Sequence, residues 1–156
     1  MQPPTDRDKA KALYWLWKIL WMLLFGVFIY MRLVAEGFRI LFPTFTKGRV
    51  MGIDSAMVAA FFLLLAVSFC WEYALFAIFK VEAAFAGHAE SYKTVLLWLA
   101  GAVLFVDAAL VYVALVRLTW SKGASFSFPA FLATAALVAV IVFVSLVSVN
   151  LKKRFL

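Results

Sequence analysis

The chain has 156 residues, of which 67% are hydrophobic and 15% charged, with a mean hydropathy of +1.03. A soluble globular domain is roughly 45–50% apolar and about 25% charged, so this composition excludes a water-soluble domain of ordinary kind. The formal net charge of +7 comes from 15 Lys and Arg against 8 Asp and Glu. These basic residues cluster at the chain ends and between apolar runs. That pattern fits the positive-inside rule and anionic lipid headgroups, and no nucleic-acid partner is expected.

One cysteine (Cys70) and one histidine (His88) exclude an internal disulfide, a thiol-redox pair and bis-histidine haem ligation within a single copy. Cys70 lies in an apolar run and reads as a small packing residue. His88 reads as a solvated loop residue, because a metal site needs companion ligands that its loop hardly offers.

The expected architecture is all-α: a single polytopic domain of four transmembrane helices, the first of them long. Residues 1–12 are polar and basic and are expected to form a cytoplasmic tail rather than a cleaved leader, since the apolar run that follows is long and aromatic. That run, Leu13 to Phe42, is stopped by Pro43. At 1.5 Å per residue its 30 residues would reach about 45 Å, beyond the roughly 30 Å hydrocarbon core. Trp15, Trp17, Trp21 and Lys18 are expected at the near headgroup boundary, with Lys18 snorkelling outward. At the far end Arg32, Glu36 and Arg39 share one helical face, and Glu36 can pair with either arginine. This cluster reads as an interfacial extension or as a docking surface for a partner or lipid headgroup.

Pro43 to Asp54 is expected to be a loop broken by Gly48 and Gly52, with Asp54 or Ser55 capping the second helix. That helix extends to about Lys80, and Ala56 and Ala60 allow close approach of a neighbour. Val81 to Tyr92 forms a polar hinge. The third helix covers about 93–117. After a short loop, Ser127 and Pro129 open the fourth, over about 128–150, and a basic tail at 151–156 closes the chain. With four spans both ends share a side, which would carry eight Lys and Arg against six on the other. Both termini are therefore expected in the cytoplasm, in a bacterial inner membrane.

Two acids stand out. Asp107 falls near the middle of the third helix, and Glu72 lies about one turn to the cytoplasmic side of the midplane in the second. A charged carboxylate there costs at least about 2.5–3.5 kcal/mol, so each should face protein or water. Ser68 lies one turn before Glu72 and could bond to it, and a Glu72–Asp107 contact is possible. No Lys or Arg is placed for a midplane pair within the chain. The acids are therefore expected either as protonated hydrogen-bond donors between helices, or facing a cation or a positive group from another subunit.

No phosphate-cradling loop, nucleophile elbow or metal-binding helix motif is present, so neither catalysis nor a cofactor or metal is expected. The function that fits best is a non-catalytic membrane subunit that gives scaffold or assembly contacts to other subunits or to copies of itself. The alternatives are a small homo-oligomeric transporter or channel using Glu72 and Asp107, and a membrane-permeabilising effector of the holin or toxin kind.

Overall fold

A computed structural model describes residues 3, 5–44, 47–87, 90–119 and 128–155. His88, Lys122 and the expected cap Ser127 lie outside the described residues. Four helical units are long and apolar enough to cross a membrane: Asp6–Leu41, Ser55–Ile78, Glu90–Arg117 and Phe128–Lys153.

The first unit is one continuous rod in three parts: α1 (Asp6–Trp21), a π-helical segment (Met22–Tyr30) and α2 (Met31–Leu41). It starts seven residues earlier than the apolar pattern suggests, because Thr5 and Asp8 form a capping box. The Asp8 backbone N–H donates to Thr5 Oγ1 at 3.2 Å and the Thr5 N–H to Asp8 Oδ2 at 3.3 Å. These bonds satisfy end groups that would otherwise need water.

The π segment has a physical reason. Tyr14, Lys18, Met22, Gly26, Tyr30 and Val34 all turn inward, Met22 partly and the others fully buried. They recur every four residues. In an α-helix each step of four overshoots a full turn by about 40°, so the five steps would drift by about 200° and carry Val34 to the outer face. The wider π coil turns less per residue and absorbs that drift.

Between α2 and α3 (Ser55–Ile78) lies a hairpin of two short strands, β1 (Arg49–Val50) and β2 (Ile53–Asp54), paired antiparallel. Its two-residue turn, Met51–Gly52, has φ of 52° and 78°, the left-handed pair that suits hairpin twist. Asp54 is the cap: its side chain accepts from the Ala56 N–H at 3.0 Å. At its other end α3 closes with Lys80 N–H on Ala77 O (3.2 Å) and Val81 N–H on Phe76 O (2.9 Å). This is a Schellman motif that places Lys80 at φ 56°. A 3₁₀ turn (Glu82–Phe85) leads on toward α4 (Glu90–Thr119), and α5 (Phe128–Lys153) completes the bundle.

The first rod changes partners along its length. Its α1 half packs on α5, whereas its α2 half packs on α4 and α3. The second seat is tight, since a Cβ at Gly37 would come within 2.3 Å of the Leu110 carbonyl oxygen. Only glycine lets the two backbones approach so closely. The main core, including Tyr30, Val34, Ala60, Leu64, Leu110 and Ile141, lies where the rod crosses α3, α4 and α5.

Candidate functional site

Three groups of charged and phenolic side chains stand along the bundle, two of them buried and the third about one-third exposed. The first joins α1, α3 and α5 at the end that carries both termini. Glu72 sits six residues before the end of α3 and is 1% exposed. Lys18 Nζ meets its Oε1 at 2.5 Å, the Tyr14 hydroxyl donates to its Oε2 at 2.7 Å, and Lys152 Nζ stands 3.9 Å from Oε2. Lys18 also donates to the Tyr14 oxygen at 3.3 Å and lies 4.0 Å from the Phe69 ring centroid.

This arrangement corrects two expectations. Lys18 does not snorkel outward: it is 1% exposed and points into the bundle. Glu72 does not wait for a positive group from another subunit, because its own first helix supplies one. Ser68, expected beside Glu72, instead directs its Oγ to Met22 Sδ at 3.9 Å. The tryptophans divide likewise. Trp15 is exposed, Trp21 is buried, and Trp17 turns partly inward to donate from Nε1 to the Val144 carbonyl at 3.2 Å. The physical reason is the four-residue recurrence, which points Tyr14, Lys18 and Met22 the same way.

The second group is Asp107 with Tyr30. Asp107 is wholly buried in α4 and Tyr30 wholly buried at the end of the π segment. The two side chains face one another, yet neither Asp107 oxygen nor the Tyr30 hydroxyl completes a hydrogen bond of good geometry. Tyr30 lies twelve residues beyond Lys18, up to about 18 Å along the rod. Glu72 and Asp107 share no hydrogen bond, and each is answered by a different part of the first helix.

The third group joins α2 to the start of α3. Arg39 Nη1 donates to Glu36 Oε1 at 2.6 Å, and its Nη2 pairs with Asp54. One guanidinium thus holds both the helical neighbour and the cap of the next helix. Of the expected trio, Arg32 stays outside this cluster and is exposed.

Along α3 the first and third groups are eighteen residues apart, about 27 Å of helix. Tyr14, Tyr30, Asp54 and Lys152 are the partners that the sequence did not single out. The outer surface is apolar: Trp98 and Phe105 of α4 are 77% and 75% exposed, and with Thr94, Leu97, Gly101 and Ala102 they line a hollow on that face. Among the described residues no group of His, Cys, Asp and Glu is arranged to hold a metal ion. No protein-family model matches the chain, and neither a curated protein nor a solved structure does.

Proposed function

We propose that this chain is a non-catalytic integral membrane subunit of a larger membrane assembly, standing in the bilayer as four spans with both termini in the cytoplasm. The observation that carries this reading is the use made of the interior charges. In the interior Lys18 and Tyr14 close on Glu72, so these groups tie helices together and are not left open to a substrate, and at the part-exposed far end Arg39 closes on Glu36 and Asp54. The surface supports it as well. Single exposed apolar residues are ordinary, but continuous aromatic and aliphatic exposure marks contact with lipid or protein. The hollow on α4, floored by Gly101 and Ala102, has the small-residue character that lets another transmembrane helix approach.

Photo-crosslinking in native membranes tests the proposal, with the reactive group placed at Trp98 and, separately, at Phe28, Phe62 and Phe143 on other exposed faces. An adduct of one defined mass from Trp98, retained through purification in mild detergent, is the expected result. A monodisperse lone species with no protein adduct from any face would overturn it.

A second reading is favoured by one observation, the buried Asp107 without a completed hydrogen bond. An ionisable group at such depth is a natural proton or cation site, and the chain would then act as a homo-oligomeric conducting or coupling protein. Proton or cation flux in liposomes, lost in Asp107→Asn, would move the assignment to that reading. Absence of flux in the parent chain would remove it.

A further inference from the structure

Lys152 occupies an unusual place for a cation beside an acid that is already paired. Its Nζ lies 4.8 Å from the ring centroid of Tyr73, 5.6 Å from Tyr14 and 5.7 Å from Phe76, with Glu72 Oε2 at 3.9 Å. The Lys18–Glu72 pair is neutral by itself, so charge balance does not require a second ammonium there. The rings supply the reason. An ammonium within about 6 Å of an aromatic face is drawn to the electron-rich ring, and several such faces around one cation form the cages that recognise alkylammonium groups.

Lys152 reaches this cage from the last turn of α5 and its side chain is 18% exposed, so the cage opens at the surface. The turn that carries the occupant makes contacts of its own beyond the cage. The Phe155 ring stands 5.6 Å from Tyr14, Arg7 Nε donates to the Phe155 carbonyl at 3.1 Å, and Lys153 lies over Phe79. Final helical turns fray at low free-energy cost. The walls do not share that looseness, since Tyr14, Phe76 and Glu72 are fully buried in the bundle.

We propose that Tyr14, Tyr73, Phe76 and Glu72 form a binding cage for an alkylammonium group, which Lys152 occupies as a resident side chain and which an external ammonium can take by displacing it. The ligand chemistry is a compact organic cation, from a soluble amine or from the headgroup of an ethanolamine or choline phospholipid.

Two measurements on the full chain in uncharged maltoside micelles test this, using tetramethylammonium and choline, which an amine-reactive reagent does not consume, as probes. Lys152→Ala empties the cage, and saturable binding at least about tenfold tighter than in the parent is expected. Adding Tyr73→Leu to Lys152→Ala removes that gain, with helical content checked by circular dichroism in both. In the parent chain, displacement frees Lys152, so its acylation by an amine-reactive reagent accelerates with a saturating dependence on probe concentration. Acceleration by the soluble cations identifies a soluble ligand. Acceleration only in nanodiscs containing ethanolamine or choline lipids, compared with phosphatidylglycerol alone, identifies a headgroup. Unchanged Lys152 labelling in both settings overturns the proposal, and so does a folded Lys152→Ala protein that gains no binding.

Discussion

Lys18 of the first helix and Glu72 of the second meet at 2.5 Å, with their side chains only 2% and 1% exposed. Burying such a pair removes two hydration shells, and the attraction between the charges offsets that loss only when both are present. Lys18→Met alone, or Glu72→Leu alone, is therefore expected to destabilise the fold by about 3–5 kcal/mol. The double variant Lys18→Met/Glu72→Leu should recover most of the loss, because two apolar side chains can fill the same space without an uncompensated charge. Reversible unfolding in mixed micelles, followed by tryptophan fluorescence, measures all three. A double variant no better than the worse single would show that the pair is not the interaction at stake.

Gly37 gives a prediction of a different origin. Alanine there would set a Cβ 2.3 Å from the Leu110 carbonyl oxygen, and neither backbone can swing aside as a side-chain tip could. Gly37→Ala should destabilise by about 1–3 kcal/mol or more through forced separation of α2 and α4. At Gly101, on the outer face of α4, a Cβ meets nothing. Gly101→Ala should leave stability unchanged or raise it by up to about 1 kcal/mol through helix propensity. The same unfolding assay compares the two, and equal effects would count against the close approach.

Lys80 occupies the left-handed position of the α3 Schellman motif at φ 56°, a conformation that costs an L-residue roughly 1–2 kcal/mol. Lys80→Gly should raise stability by about 0.5–1 kcal/mol after the extra unfolded-state entropy of glycine is counted. Lys80→Ala keeps the Cβ and should show little gain, so the difference between the two variants isolates the backbone term.

Asp54 caps α3 and also receives Arg39. Asp54→Asn keeps the cap but loses the charge, and Asp54→Ala loses both. A loss of about 1 kcal/mol or less is expected for Asn, with the pair about one-third exposed, and about 1–2 kcal/mol for Ala. High salt should narrow the gap between the parent and Asp54→Asn, because exposed charge pairs are screened. A gap insensitive to salt would assign Asp54 to capping alone.

The four long apolar helices were legible in the sequence because long apolar runs leave the backbone little alternative. The break at Gly52 and the cap at Asp54 were legible for local reasons too, whereas the hairpin around Gly52 was expected only as a loop. What could not be read was direction around the first helix. An α-helical wheel sends Tyr14 and Tyr30 to different faces, and only the π segment returns them to one, so Lys18 looked like a boundary residue and Glu72 an acid without a partner. The identity of the groups beside Asp107 and Lys152 depends on contacts between residues 77 to 138 positions apart, and no local pattern encodes those.

The divided packing of the first rod has a consequence for how the molecule is made. Chains emerge N-terminus first, so Lys18 can find Glu72 as soon as the second hydrophobic helix is synthesised. The seat for Trp17 and Tyr14, however, is built from Val144 and Phe155. Lys18 and Tyr14 can tie α1 to α3 early, and the rest of the α1 seat is completed only when α5 has been made. In the folded bundle α1 and α5 thus complete each other's packing, through Trp17 on Val144 and Phe155 on Tyr14.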